Sequence, residues 1–309
     1  LPKLLRRIGI NYRPARKIGG INLASDIVGS KVAIEMSNFK GQIGKTSAKG
    51  AISVHLASSK PLVKANLTTG AFDLESFLPT QNKAFVPSFA PLLLPASWQV
   101  RATPVINNRP LMHLTATPQR WSKAPLNLSS FYDFNADIRL KAPIIIYDRY
   151  LFEKITIIAK NRNGVLNISH FKSNIFGGSV SGNATLSANR NRINSSLRVN
   201  GINLKSAFYR NSNKPVINGK MRLDLDFNSA GESLSKIISA TNGKANFTIS
   251  DINLAAASKD IVFSKLLDLL TQGKSPSNQS DKNTASINGS FKISHGIATT
   301  HDMTLISAI

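Results

Sequence analysis

Cysteine is absent from this chain of 309 residues, and acidic side chains are scarce, at 16 Asp and Glu against 39 Lys and Arg. Without cysteine the protein has no disulfide, no thiolate metal site and no cysteine nucleophile. Long apolar runs are missing as well, since no stretch approaches the ~20 residues that cross a bilayer. The densest apolar segment, 252–270, is interrupted by charged residues such as Lys259 and Asp268. These absences exclude a disulfide scaffold and a membrane-spanning helix within this sequence.

The positive charge is large but dispersed. The formal net charge is +23, while 42% hydrophobic and 18% charged residues are ordinary for a folded chain. A nucleic-acid module would concentrate its basic residues beside stacking aromatics, and only 7% of this chain is aromatic. We therefore expect no nucleic-acid partner, and the dispersed charge fits anionic lipid head groups at least as well. Binding of a polyanion stays the least favoured hypothesis, and a compositional bias would also account for the charge.

Alternation with a period of two is the dominant pattern. Met221, Leu223, Leu225 and Phe227 are separated by charged and polar residues, as expected of a half-buried strand. Similar runs occur at 52–56, 63–67, 134–140, 184–188, 244–250 and 291–293. Five Asn-Gly pairs, which favour tight hairpin turns, begin at residues 163, 200, 218, 242 and 288. The pattern predicts a mainly β fold built as a long antiparallel meander.

Two helices are predicted near the C-terminal side, and proline marks one boundary. The first, near 233–240, begins at Ser233 or Glu232. The second, near 258–271, has apolar residues at helical spacing. Eight of the 14 prolines lie between Pro79 and Pro125, where they disfavour central strands. The predicted organisation is therefore an N-terminal β repeat region at 1–79, a proline-rich connector at 80–125 and a C-terminal β region at 126–309.

Several partial motifs fail on the residues that their chemistry requires. Gly41–Thr46 ends like a phosphate-binding loop, but position 39 is Phe and a strand pattern follows instead of a helix. Asp224–Asn228 begins like a calcium loop but lacks the required glycine and glutamate. His295 and His301 offer no third ligand at a standard spacing. We expect no enzyme activity, no metal site and no cofactor.

The strands outnumber the helices that could cover them. A sheet with one apolar face must cover that face, and a helix of about 14 residues is only ~21 Å long. The uncovered face must close on itself, pair with another sheet or bind apolar ligands. The first two outcomes would give a filled β-sandwich or barrel, and the third gives a sheet curled into a groove or half-tube.

Segments in the C-terminal part of the chain resemble those of the AsmA family. Asn174–Leu186 is similar to a glycine-rich strand pair of that family, and Trp121–Leu128 is similar to the segment that begins this region. The segments that follow in the same order are 217–225, 231–233, 241–245, 286–298 and 302–307. The resemblance extends over 121–309, and residues 21–79 are similar to the strand repeats that precede it.

The resemblance implies a role in the envelope of Gram-negative bacteria. Members of the family have a large periplasmic β region anchored in the inner membrane by an N-terminal helix, which would lie upstream of this chain. They are implicated in outer-membrane assembly and in phospholipid transport between the inner and outer membranes. We therefore expect a periplasmic, non-enzymatic module whose partners are a phospholipid or another acyl-chain lipid and, through the anchor, the membrane.

The acyl chains are expected to contact the apolar side of the C-terminal strands and the second predicted helix. The candidate residues are Met221, Leu223, Leu225, Phe227, Phe247, Ile249, Leu266, Leu269, Leu270, Phe291 and Ile293. The alternative is a structural or chaperone-like envelope scaffold in which these side chains fill a closed core.

Overall fold

The computed structural model describes residues 19–56, 59–77, 99–106, 109–115, 121–126, 128–147, 150–209, 218–253 and 284–307. These residues form 17 strands, numbered in chain order. The strands are β1 (Ile21–Gly29), β2 (Ala33–Ile43), β3 (Thr46–His55), β4 (Leu62–Thr69), β5 (Phe72–Asp73), β6 (Gln99–Ile106), β7 (Arg109–Thr115), β8 (Asn135–Tyr147), β9 (Tyr150–Arg162), β10 (Val165–Ile175), β11 (Gly178–Ser187), β12 (Arg192–Asn203), β13 (Lys220–Ala230), β14 (Asn242–Asn253), β15 (Thr284–Ser294), β16 (Ile297–Thr300) and β17 (Thr304–Ser307).

The strands form one open sheet. Neighbouring strands follow the order β1, β2, β3, β4, β8, β9, β10, β11, β12, β13, β14 and β15. The far side of β15 is shared by β16 and β17, and β16 continues through β7 to β6. In the described ladders β1 pairs only with β2 and β6 only with β7, so the sheet does not close. The predicted mainly β, open fold is confirmed.

The proline-rich segment introduces the one departure from a simple meander. β4 and β5 pair with β8 in parallel, whereas all other described pairings are antiparallel. Between them the chain forms the hairpin β6–β7, which joins the sheet at its other edge beside β16. The sheet is continuous from β4 to β8, so the division at 80–125 remains a prediction about organisation.

Three short helices lie at the ends of strands. They are α1 (Leu74–Phe77), α2 (Leu204–Tyr209) and α3 (Leu234–Ser239), and a 3₁₀ turn covers Ser129–Tyr132. The predicted helix near 233–240 is confirmed as α3, and the Ser233 hydroxyl caps it by accepting a hydrogen bond from the Lys236 amide at 3.2 Å. The predicted helix at 258–271 lies outside the described residues. Helices α1 and α2 are too short to leave a helical period in the sequence.

Only one Asn-Gly pair forms a two-residue hairpin turn, which corrects the prediction for the others. Asn163-Gly164 links β9 to β10, with φ of 48° and 80°. Asn200-Gly201, Asn242-Gly243 and Asn288-Gly289 lie within strands, and the pair at 218–219 precedes β13. A Cβ on Gly243 would overlap the carbonyl oxygen of Asp226 on the neighbouring strand. Close strand packing, which a turn propensity does not encode, therefore requires glycine there.

Fully buried side chains are confined to part of the sheet. The larger buried cluster packs α2 against the adjacent strand ends and includes Leu204, Ile202, Ile252 and Ile287. A smaller cluster surrounds Ile155. No residue of β1–β4, each of which is described in full, is buried. The N-terminal part of the sheet therefore has a half-exposed apolar side.

Candidate functional site

One transverse row of side chains crosses almost the whole sheet on its apolar side. The row is read directly from the strand register, and Ser195 is its one polar member. Its members are Ile27, Met36, Ile52, Ala65, Ile138, Ala159, Ile168, Ala184, Ser195, Phe227, Gly243, Ile293 and Ala298. At a strand spacing of ~4.8 Å, these twelve steps cover about 58 Å.

A second row lies beside the first and has no polar side chain. It consists of Phe39, Gly50, Leu67, Leu140, Ile157, Phe171, Gly182, Leu197, Leu225, Ala245 and Phe291. Residues two apart on a strand share a face, so both rows lie on the same side of the sheet. We call the two rows together the apolar face.

The described helices are too short to cover the apolar face. Each has at most six residues and is therefore no longer than ~9 Å. Most side chains of the two rows are half-buried, and Ile27 near the β1 edge is 67% exposed. No row member of β1–β4 is buried, whereas Ala159, Leu225, Ala245 and Ala298 are buried.

The predicted lipid-contact residues divide into two groups. Met221 belongs to the buried cluster beneath α2, and Leu223, Phe247 and Ile249 pack against that cluster. The others in the described strands belong to the rows, namely Leu225, Phe227, Phe291 and Ile293. Leu266, Leu269 and Leu270 lie outside the described residues. Lipid contact by these residues remains a prediction.

The site residues predicted from the sequence did not include the row members on the other strands. Ile52 and Ile138 belong to alternating runs, so their shared face was predictable from the sequence. Their alignment with Phe227 was not predictable, because it depends on register across many strands, including the parallel pair Ala65–Ile138.

Residues 121–126 and 128–134 contact the ends of several strands near α3. The Leu126 amide donates to the Glu232 carbonyl at 2.8 Å, and the Ser235 amide donates to the Ser122 carbonyl at 3.0 Å. Further along, the buried Asn161 amide group donates to the carbonyl oxygens of Phe131 and Phe134, at 2.8 and 2.6 Å. This segment therefore ties the ends of β9, α3 and the start of β8 together.

The opposite face carries polar side chains, several of them in ion pairs. Arg198 contacts Asp224 at 2.7 Å, and the hydrogen bond and charge of that carboxylate raise the pKa of Arg198. Lys244 lies 3.9 Å from Asp226. Arg198 and Lys244 are the partners because they lie directly opposite these aspartates on the neighbouring strands β12 and β14. The aspartates therefore act as surface ion-pair partners across the sheet.

The other partial motifs have ordinary structural roles. Gly41–Thr46 turns from β2 into β3, with Gly44 at a φ of 60°, and no helix follows it. The backbone amide of His295 donates to the Asn242 side chain at 3.1 Å. Among the described residues there is no group of three or more His, Asp or Glu that could hold a metal ion. The same part of the chain contains no helix long and apolar enough to span a membrane.

Comparison with known proteins gives one match. The family model of the AsmA family matches residues 15–303. No curated protein and no solved structure matches the chain. The match includes the strands of both apolar rows, so the family assignment applies to the sheet from β1 to β16.

Proposed function

Because the chain belongs to the AsmA family, we propose that it is a non-enzymatic module that holds phospholipid acyl chains on the apolar face. Family membership is consistent with an envelope or lipid-related function. In the proposed role, the module transports phospholipid between the inner and outer membranes and thereby contributes to outer-membrane assembly. It would act in the periplasm, held at the inner membrane by an anchor upstream of this chain.

The continuity of the apolar face carries this proposal. The register aligns apolar side chains from Ile27 to Ala298 with a single polar interruption at Ser195. Burial of acyl chains is worth ~0.8 kcal/mol per CH₂ group, so a continuous apolar track retains a lipid without any reacting group. A path about 58 Å long, from the strand spacing, exceeds the ~30 Å thickness of a bilayer core. It can therefore hold more than one lipid along its length.

Lipid uptake by the purified chain tests the proposal. The chain would be delipidated, mixed with phosphatidylcholine vesicles that contain labelled phosphatidylglycerol, and separated from the vesicles by size. We expect labelled lipid to remain with the protein and to raise the midpoint of its thermal unfolding, since a ligand of the native state stabilises it. No uptake together with unchanged stability would contradict the proposal.

A filled envelope scaffold is the second candidate, and one observation favours it. The strand ends beneath α2 are packed, with Ile202, Ile252 and Ile287 almost fully buried. If such packing extended over the rows, a charge placed there would unfold the protein instead of displacing lipid. The two candidates therefore differ in the outcome of a substitution in β1–β4.

A further inference from the structure

The exposed apolar side chains are concentrated at one corner of the sheet. Ten large apolar side chains are exposed in the described part of the chain, and six of them lie within residues 19–56. Five of the six are between 40% and 71% exposed and lie close to the connection between β1 and β2, namely Ile27, Val28, Val32, Ile34 and Leu56. We call these five residues the apolar corner. Contiguous exposed apolar patches mark sites of interaction with proteins, ligands or membranes.

The pairing of the strands brings the five side chains to one end of the sheet. Gly29 is opposite Ile34, so residues 30–33 connect β1 to β2. The Leu56 amide, at the end of β3, donates to the Val32 carbonyl in that connection at 2.7 Å. The apolar corner therefore lies at the same end of β1, β2 and β3.

The apolar corner has apolar side chains on both faces of the sheet. Ile27 belongs to the first row, and Ile34 lies two residues from Met36 of the same row, so both are on the apolar face. Val28 follows Ile27 along β1 and therefore lies on the opposite face. A protein that docks against one face would cover only part of this corner, whereas a bilayer interface surrounds whatever enters it. The arrangement therefore favours a lipid bilayer as the partner.

The backbone of the corner suits a shallow position in a bilayer. The Ser30 amide donates to the Ala33 carbonyl at 2.8 Å, and the Ser30 hydroxyl accepts from the amides of Val32 and Ala33 at 3.3 and 3.1 Å. Hydrocarbon offers no partner to a free amide, so these bonds lower the cost of moving the turn out of water. In the described ladders β1 pairs only with β2, and its other edge restricts the corner to the interfacial region.

The charge near the corner complements an anionic membrane surface. Residues 19–69 contain six lysines and no arginine, against two acidic residues, Asp26 and Glu35. Lys31 lies in the connection itself, next to Val32. A lysine there can keep its ammonium group among the head groups while its aliphatic stem lies along apolar side chains. Anionic lipid in the bilayer therefore strengthens the contact.

We propose that the apolar corner inserts into the interface of a phospholipid bilayer that contains anionic lipid. Insertion places the β1 end of the first row at the membrane, where acyl chains pass between the bilayer and the apolar face. This passage rests on the proposed function, because the apolar face is the proposed lipid path. The insertion itself is measured without lipid uptake.

Flotation with vesicles tests the inference. The purified chain would be mixed with vesicles of phosphatidylcholine and phosphatidylglycerol, and the fraction of protein that floats with them would be measured. We expect the unmodified chain to float, and Val28→Asp/Val32→Asp to lower its partition coefficient roughly tenfold, because two half-exposed valines would no longer be buried in the bilayer. Both side chains are exposed, so thermal unfolding should change little. If this variant does not fold, Val28→Ser/Val32→Ser, which adds no charge, takes its place.

A control variant places the same charges on exposed apolar residues outside the corner. Val165→Asp/Ile306→Asp changes exposed side chains on β10 and β17 and should float like the unmodified chain. Both double variants change the net charge equally, so a difference between them reports the corner. An equal loss in both, or no flotation of the unmodified chain, would overturn the inference.

Lipid delivered from detergent micelles separates the inference from the proposed function. This route bypasses the vesicle surface, so Val28→Asp/Val32→Asp should take up micellar lipid like the unmodified chain but extract lipid from vesicles more slowly. A chain that binds micellar lipid without floating would refute the membrane contact alone, and a chain that floats but retains no lipid would refute the proposed function alone. Self-association that the corner variant abolishes, without flotation, would assign the corner to a second copy of this chain instead.

Discussion

The rings of Phe247 and Phe291 stack with their centroids 5.0 Å apart and 18° between their planes. They lie diagonally across β14 and β15, because Phe247 faces Gly289 and Phe291 faces Ala245. Phe247 packs against the buried cluster beneath α2, whereas Phe291 belongs to the second row. The pair therefore marks the boundary between the packed end of the sheet and the apolar face proposed to hold lipid.

A charge on the apolar face of β3 should remove lipid without unfolding the protein. Ile52 is half-buried in the first row, so Ile52→Asp should lower the free energy of unfolding by about 1–3 kcal/mol. The same variant should take up much less phospholipid. Thermal unfolding and bound-lipid quantification measure the two effects on one sample.

Two control variants place the same charge at a more exposed and at a more buried position than Ile52. Ala51→Asp places the same charge on the exposed side of the same strand and should bind lipid like the unmodified chain. Ile287→Asp, at a side chain only 1% exposed, should prevent folding. An Ile52→Asp protein that also fails to fold would favour the filled scaffold.

Gly243 should not tolerate a side chain. An added Cβ would overlap the Asp226 carbonyl and press on Phe227, so Gly243→Ala should lose about 1–3 kcal/mol through strand displacement. Gly20→Ala, where nothing lies within 4 Å of the added carbon, is the matched control. Denaturant unfolding of both variants measures the difference, and equal stabilities would refute the close packing assigned to Gly243.

Loss of the α3 cap should lower the stability of α3. Ser233→Ala removes the acceptor of the Lys236 amide and should cost about 1 kcal/mol. Hydrogen exchange should show the Lys236 amide losing protection, while Ser235→Ala in the first turn of the same helix leaves it protected. Unchanged protection in Ser233→Ala would show that the cap does not stabilise α3.

The ionised carboxylate of Asp302 should contribute to the free energy of unfolding, and this contribution should disappear in acid. The Ser290 amide donates to its carboxylate at 2.8 Å and the Ser290 hydroxyl at 2.7 Å, and these bonds hold the pKa of Asp302 below its ordinary value. The component is therefore complete above the unfolded pKa of ~3.9, falls as pH decreases towards the lower native pKa, and is absent below both.

The variant Asp302→Asn should lack this pH-dependent component in denaturant unfolding between about pH 5 and pH 2. Ser290→Ala, which keeps the backbone donor, should retain part of it. A pH profile of Asp302→Asn identical to that of the unmodified chain would contradict the assignment.

The sequence was sufficient for local features of the fold. Alternation at Met221–Phe227 correctly gave the two faces of β13, and Ser233, one of the two predicted start residues, is the N-cap of α3. These features depend on neighbouring residues along the chain, which strand and cap propensities describe. The candidate lipid-contact residues on β13–β15 could be predicted for the same reason.

Long-range features could not be predicted in this way. The parallel pairing of β4 with β8 and the docking of β7 against β16 join segments far apart in sequence. Glycines such as Gly289 within strands were misread as turn signals because their role depends on a neighbouring strand.

Residue-level photo-crosslinking tests the central claim most directly. A phosphatidylglycerol with a diazirine near the end of one acyl chain would be bound, activated and located by mass spectrometry. The account predicts labelling of apolar-face residues such as Ile138, Leu197 and Phe291, with the intervening polar residues unlabelled. Labelling spread equally over both faces, or none in a protein that retains lipid, would contradict it.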